Sequence, residues 1–125
     1  MNRIFFFIGA ILGGLAVVAG AYGAHAGAKF FSPENVITFG KAVRYQMHHS
    51  LALFAVSWAI SQWPGQKRIL TVAGWSLVAG ILLFSFSLYI MVFTGIDIAI
   101  ITPFGGTAFI IGWFLLAWAA WMGKE

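Results

Sequence analysis

The side chains most able to do chemistry lie in one stretch, VRYQMHHSLAL, at residues 43–53. If this stretch is helical, Arg44 and His48 share one face, because they are four residues apart. Tyr45 and His49 share the adjacent face for the same reason. These side chains could supply hydrogen-bond donors and positive charge to a ligand.

Further polar groups are expected at the same end of the molecule. His25 follows the first apolar run, Asp97 lies between the third and fourth runs, and Thr102, Gly105 and Gly106 open the fourth. The start of a helix there would add unpaired backbone N–H groups and positive dipole charge. The candidate ligand-binding residues are His25, Arg44, Tyr45, His49, Thr102, Gly105 and Gly106.

Three interpretations of this cluster remain open. The basic residues could reach lipid headgroups while the histidines satisfy backbone carbonyls. Alternatively, the cluster could bind a phosphate, a carboxylate or a lipid headgroup. The third interpretation is a metal or haem site that uses His25 with His48 or His49. Adjacent histidines point about 100° apart on a helix, and the chain has no cysteine, so we expect no metal site and no cofactor.

The residues needed for catalysis are scarce. The chain has three acidic residues, Glu34, Asp97 and Glu125, and none lies inside an apolar run. Paired-carboxylate chemistry and intramembrane proton relays therefore lack their groups. Ser85 and Ser87 lie in an apolar run without a nearby base in sequence, where serine usually bonds to backbone or to a neighbouring helix. We expect a protein that is not an enzyme.

The composition places these residues in a membrane protein. Hydrophobic residues make up 62% and charged residues 8% of the 125 residues, compared with roughly 45–50% and about 25% in soluble domains. The mean hydropathy is +0.95. The seven Lys and Arg residues are spread thinly between apolar runs and form no phosphate-tracking stripe, so we expect no nucleic-acid partner.

Four charge-free runs are each long enough to cross the hydrocarbon core as a helix. They are residues 4–24, 45–63, 69–93 and 103–122. The first is longer than the core of a signal peptide, which opposes cleavage there. The predicted fold class is all-α: an integral membrane bundle of four transmembrane helices, forming one domain over residues 1–125.

Two sequence signals predict helix starts. Ser32-Pro33-Glu34 reads as an N-cap, a proline at the first helical position and an acid in the first turn. It predicts a short helix in the first connection, which could continue into the second run with Gly40 as the point of a bend. Thr102-Pro103 predicts the start of the fourth helix.

Small residues in the first run are spaced three or four apart and so form one stripe on a helix. They are Gly9, Gly13, Ala16, Gly20, Gly23 and Gly27. Small residues allow another helix to approach closely in lipid. We assign helix packing to Gly9, Gly13 and Gly20. A partner helix within the chain is favoured over one from another protomer.

Lys and Arg residues predict the orientation. One side of the bundle would carry Arg3, Lys67, Arg68 and Lys124, and the other would carry Lys29, Lys41 and Arg44. The small excess predicts that both termini are cytoplasmic. We also expect a multi-pass protein of the plasma membrane.

Four segments together resemble the small multi-pass proteins grouped as domain of unknown function 423, which are similar to transmembrane protein 256. These segments are GAYGAHAG at 20–27, VRYQMHHSLAL at 43–53, AGILLFSFSLY at 79–89 and ITPFGGTAFIIGW at 101–113. One departure is Phe86, where the family commonly has glycine between two serines. The resemblance implies a four-helix membrane protein without an established activity.

The resemblance also carries over a set of family-motif residues. They are His25, Arg44, Tyr45, Gln46, His49, Ser85, Ser87, Tyr89, Thr102, Pro103, Gly105 and Gly106. The expected function is that of a non-enzymatic scaffold or accessory subunit. The alternative is binding or transport of an anionic ligand or lipid headgroup at the cationic end. Expected partners are membrane lipids and a homo-oligomer or larger membrane complex.

Overall fold

The computed structural model describes residues 2–123, and every regular element within that range is a helix. The six α-helices are α1 (Asn2–Tyr22), α2 (Ala28–Phe30), α3 (Pro33–Gln62), α4 (Lys67–Gly80), α5 (Phe86–Thr94) and α6 (Thr102–Met122). Lys124, which was counted in the prediction of orientation, and Glu125 lie outside the described residues. The all-α prediction is confirmed.

The first apolar run forms a longer helical segment than predicted. A π-helical turn, Gly23–Gly27, joins α1 to α2. Backbone angles remain helical through Ala28, and Phe31 then adopts an extended conformation at φ −82° and ψ 143°. His25 therefore lies within a helical turn and not in a loop.

The helix start predicted at Ser32-Pro33-Glu34 is confirmed. The Ser32 hydroxyl oxygen accepts a hydrogen bond from the Asn35 backbone N–H at 3.1 Å, and Pro33 occupies the first turn. From there α3 runs for 30 residues and passes through Gly40, so a separate short helix is not confirmed. The cost of one glycine in a helix, about 1 kcal/mol, is small beside the packing of the buried Phe39 and Ala42 next to it.

The third apolar run is a helical segment with an irregular middle. A second π-helical turn, Ile81–Ser85, joins α4 to α5. The segment ends at Gly95, which has φ 72°, and the Gly95 N–H donates to the Met91 carbonyl at 2.9 Å. A left-handed residue at this position is the usual way to end a helix, and it favours glycine.

The helices form a bundle with α3 at its centre. α3 packs along α1 on one side and against α4 and α5 on another, while α6 packs along α4 and the second π-helical turn. Large side chains that are completely buried fill the space between them: Phe5, Leu53, Leu70, Leu77 and Ile81. Polar side chains on α3 thus reach both neighbouring layers.

The glycine stripe of α1 faces α3. A Cβ added at Gly9 would lie 2.8 Å from the Ser50 carbonyl oxygen. At Gly13 it would lie 3.8 Å from the Ser50 Cβ, and at Gly20 3.6 Å from Val43 Cγ1. The structure therefore uses the stripe for packing within the chain, and at Gly9 the nearest atom belongs to the backbone of α3.

Three helical segments are long and apolar enough to cross a membrane. They are Arg3–Phe30, Pro64–Thr94 and Thr102–Met122. α3 is long enough, at 30 residues, but it is less apolar because it carries the basic, amide and imidazole side chains of the candidate site. By length and composition, the structure therefore supports three of the four predicted spans.

Candidate functional site

Gln46 on α3 joins three helices through one buried amide. Its Nε2 donates to the Leu12 carbonyl oxygen of α1 at 2.7 Å. Its Oε1 accepts a hydrogen bond from the Tyr89 hydroxyl of α5, also at 2.7 Å. Only 1% of Gln46 is exposed. An amide can donate and accept at the same time, and this one links α1, α3 and α5.

The two serines around the second π-helical turn point to different neighbours. The Ser85 hydroxyl donates to the Ala42 carbonyl oxygen of α3 at 2.8 Å. The Ser87 hydroxyl donates to the Phe84 carbonyl at 2.8 Å and lies 2.7 Å from the Thr102 hydroxyl of α6. Residues two apart on a helix point about 200° apart, so the pair ties this segment to α3 and to α6.

His49 has partners at both ring nitrogens. Nδ1 lies 2.6 Å from the Tyr45 carbonyl oxygen, and Nε2 lies 3.0 Å from the Trp113 indole nitrogen. An indole N–H only donates, so Nε2 must accept and Nδ1 must carry the proton. The ring also stacks on Phe109, with centroids 3.5 Å apart. His49 is therefore a neutral structural residue that joins α3 to α6.

Polar groups inside the bundle are satisfied throughout. Within the described residues, no buried side-chain nitrogen or oxygen lacks a hydrogen-bond partner. In the same range, no group of three histidine, aspartate or glutamate side chains could hold a metal ion. The polar side chains in the described interior therefore serve mainly as interhelical hydrogen-bonding groups.

The residues predicted to form a cationic ligand site are not gathered in one place. Arg44 is exposed and borders a cavity of about 330 Å³ between α1 and α3. His25 borders a different cavity, together with Lys29. Asp97 accepts a hydrogen bond from the Ala99 N–H at 3.0 Å, and in the described range it forms no ion pair with Arg44. His25, Arg44 and Asp97 therefore do not form a common site.

The three predicted ligand residues at the start of α6 have different surroundings. Thr102 bonds to Ser87, as described above. A Cβ added at Gly105 would overlap the Phe84 backbone nitrogen and lie 2.7 Å from the Leu83 carbonyl carbon. At Gly106 the added atom would meet nothing within 4 Å. Gly105 is thus a packing residue, whereas Gly106 borders open space.

That open space is a groove between α3 and α6, with a volume of about 660 Å³. Tyr45, His49 and Gly106 of the predicted set line it, together with His48 and Trp113. We call it the α3–α6 groove. It is the place where the structure brings several predicted ligand residues together.

Comparison with known families agrees with this architecture. The model of the family described as "Protein of unknown function (DUF423)" matches residues 19–106. The chain belongs to the DUF423 family. The match includes α3, the second π-helical turn, α5 and the start of α6, so it contains Gln46, His49, Ser85, Ser87 and Tyr89.

Similarity to curated DUF423-type proteins extends over nearly the whole chain. The chain is 43% identical to the UPF0382 membrane protein YwdK of Bacillus subtilis, covering 94% of this chain and 96% of the relative. It is 34% identical to a UPF0382 membrane protein of Haemophilus influenzae, covering 100% and 99%. No solved structure matches the chain significantly. These findings identify a membrane protein of unknown function.

Phe86, the departure from the DUF423 pattern, lies at the rim of a second cavity. It is partly buried, and its ring centroid is 5.9 Å from that of Tyr89. Both rings border an apolar cavity of about 460 Å³ that Gln46 also reaches. At the position where the family resemblance implies glycine, this DUF423 chain therefore has an aromatic side chain beside the Gln46–Tyr89 pair.

Sequence reasoning missed the interhelical partners of several polar residues. The four-residue spacing of Arg44 and His48 placed them on one face, and the structure leaves both exposed. The resemblance to DUF423 proteins carried over Gln46, Ser85, Ser87 and Tyr89, but their partners were not predicted. The pairs that they form are up to 43 residues apart in the chain, so no local spacing could have indicated them.

Proposed function

We propose that the chain is a four-span, non-enzymatic accessory subunit of the plasma membrane, working in a homo-oligomer or a larger complex. The observation that carries this proposal is the internal use of its chemically capable side chains. His49, Ser85, Ser87 and Tyr89 are engaged in hydrogen bonds within and between the chain's own helices. Such groups are better suited to holding a bundle together than to attacking a substrate.

Crossing of the membrane by α3 is supported by its length and its position. Thirty residues extend about 45 Å as a helix, compared with about 30 Å of hydrocarbon. Its polar residues Gln46, His49 and Ser50 are buried against the other helices. A central position in the bundle keeps these groups away from lipid, which is the usual arrangement for polar residues within membranes.

Orientation follows from this span count and from charge. With four spans, both termini lie on the same side as Lys67 and Arg68, and the positive-inside tendency makes that side cytoplasmic. Reporter fusions after Gly123 and after Glu34 measure this directly. We expect cytoplasmic activity from the first fusion and external activity from the second. The reverse pattern would contradict the orientation. If both reporters were found on the same side of the membrane, the count of four spans would be contradicted.

Assembly is tested by native mass spectrometry of the protein released from its own membrane with bound lipids. We expect a defined homo-oligomer or a stoichiometric complex. Gly14→Leu is the informative variant, because Gly14 is exposed on α1 and an added Cβ would meet nothing within 4 Å. Small residues at such positions admit a neighbouring helix, so we expect this variant to shift the mass distribution towards monomer.

Val18→Leu is the matched control on the same helix, since Val18 is already a large exposed side chain. It should leave the assembly unchanged. A wild-type protein that is monomeric when extracted with its native lipids would refute the accessory role. Catalytic turnover of a substrate by the purified monomer would also refute the accessory role.

A further inference from the structure

One face of α3 is exposed along most of the helix. Its members recur every three or four residues, so they lie in a single strip. We call them the α3 strip: Lys41, Arg44, His48, Leu51, Ala55 and Trp58. The other faces of α3 are covered by α1, α4, α5 and the second π-helical turn, and His49 contacts Trp113 and Phe109 of α6. The strip is thus the part of this central helix that meets the surroundings.

The side chains of the α3 strip change from polar to apolar along its length. Lys41, Arg44 and His48 are basic or donor-bearing, whereas Leu51 and Trp58 are apolar and 56% and 58% exposed. Each half covers about 10 Å of helix. The order matches that of a lipid in one leaflet, with a polar headgroup above an apolar chain.

The polar half of the strip has unsatisfied hydrogen-bonding groups within the described residues, although the His48 ring contacts that of Tyr45. Lys41, Arg44 and His48 form no hydrogen bond or ion pair there. The Tyr45 hydroxyl, beside His48, also lacks a hydrogen-bond partner within residues 3–123. Polar groups facing a membrane are costly unless something satisfies them. His49, one residue further along, differs because both of its nitrogens are occupied.

The α3–α6 groove adjoins this polar half. His48 and Tyr45 stand at the groove, and Phe84 and Ile110 supply apolar walls. Gly106 leaves part of the groove open, since nothing lies within 4 Å of an added Cβ. A molecule seated here would meet donors at one end and apolar side chains along its length.

We propose that the α3 strip and the α3–α6 groove bind one anionic phospholipid. Its phosphate accepts hydrogen bonds from Arg44, His48 and the Tyr45 hydroxyl, with Lys41 adding positive charge. One acyl chain runs along Leu51 towards Trp58. Charge complementarity favours this occupant, because Lys41, Arg44 and His48 are exposed on one face of α3 without an acid among them.

A second copy of this chain is a poorer occupant of the same surface. The acidic residues that it could offer within the described range are Glu34 and Asp97, both outside the apolar core of the helices. Symmetrical pairing through the strip would bring Arg44 and Lys41 of both copies together. Like charges at that distance repel. A lipid phosphate neutralises part of this positive charge, and the acyl chain of the lipid covers the apolar half of the α3 strip.

The test measures lipid retained by the purified protein in native mass spectra, after equilibration with phosphatidylglycerol or phosphatidylcholine. We expect phosphatidylglycerol to be retained preferentially. Arg44→Gln should weaken its binding about fivefold, the usual effect of one basic side chain near a lipid surface. Lys29→Gln is the matched control, because Lys29 is an exposed basic residue near the same end that lies outside both the α3 strip and the α3–α6 groove. It should retain wild-type binding.

Gly106→Leu tests the groove without changing charge. An added Cβ at Gly106 meets nothing within 4 Å and faces the groove, so we expect the variant to keep the wild-type melting temperature in phosphatidylcholine while losing phosphatidylglycerol. Inorganic phosphate alone should give no thermal stabilisation, because it lacks the acyl chain.

Three outcomes would overturn the proposal. One is equal retention of the two lipids, and another is an equal loss in Arg44→Gln and Lys29→Gln. The third is stabilisation by inorganic phosphate as large as that by phosphatidylglycerol, which would indicate a simple anion site. Failure of this test leaves the accessory role standing, since that role depends on assembly and not on a bound lipid.

Discussion

Gly105→Ala is expected to destabilise the bundle by about 3 kcal/mol, at the upper end of the usual cost of overpacking. The added methyl group would overlap the Phe84 backbone nitrogen and lie 2.7 Å from the Leu83 carbonyl carbon. Backbone atoms cannot rotate away as a side chain can. α6 would have to move from the second π-helical turn, which would also weaken the Thr102–Ser87 contact.

The neighbouring glycine provides the control for this prediction. Gly106→Ala adds the same methyl group where nothing lies within 4 Å. It should change the free energy of unfolding by less than about 0.5 kcal/mol, or raise it slightly, because alanine favours helix over glycine. Unfolding by sodium dodecyl sulfate in mixed micelles measures both variants. Equal stabilities for the two proteins would show that α6 does not approach the second π-helical turn at Gly105.

Gln46→Leu is expected to cost about 2 kcal/mol, because it leaves the partly buried Tyr89 hydroxyl without its acceptor. The substitution keeps a similar volume, so the loss reports mainly on hydrogen bonding. Tyr89→Phe alone should cost about 1 kcal/mol. The double variant should lose less than the sum of the two, because neither polar partner then remains unpaired.

A double-mutant cycle in mixed micelles measures this coupling. Thr107→Ala serves as the control variant, since the Thr107 hydroxyl is exposed and bonds only to the Pro103 carbonyl of its own helix. Combined with Gln46→Leu, it should give additive losses. Additivity between Gln46→Leu and Tyr89→Phe would mean that the α3–α5 hydrogen bond contributes nothing to stability.

These predictions share a physical basis. In lipid, apolar burial gives little drive for helices to associate, so close backbone contact and interhelical hydrogen bonds gain importance. Gly9 and Gly105 provide close contact at the two outer layers of the bundle. Gln46, His49 and Ser85 supply hydrogen bonds from or to the central helix. Interhelical hydrogen bonding thus accounts for these polar side chains in the described interior.

Phe86 is the position at which the sequence departs from the pattern that the family resemblance implies. Its ring lies near Tyr89, and both border the cavity that Gln46 reaches. Side chains of α1 line the same cavity. Phe86 therefore adds apolar surface beside the Gln46–Tyr89 hydrogen bond.

The sequence by itself determined the helical elements and several of their ends. Apolar runs require helices in lipid, where every backbone polar group needs an internal partner. Ser32-Pro33-Glu34 located the start of α3, because a cap depends on residues three positions apart. The spacing of Gly9, Gly13 and Gly20 located the close-packing face of α1. All of these signals act between near neighbours in the chain.

Only the tertiary structure decided which neighbouring residue takes which role. His49 is enclosed between α3 and α6 while His48 is exposed, and Gly105 is in tight contact while Gly106 borders a groove. Each pair differs by one position, or about 100° of rotation on a helix. That rotation is set by how α3, α6 and the second π-helical turn pack together. Contacts between residues as far apart as His49 and Trp113 depend on the same packing, so local spacing carries no information about them.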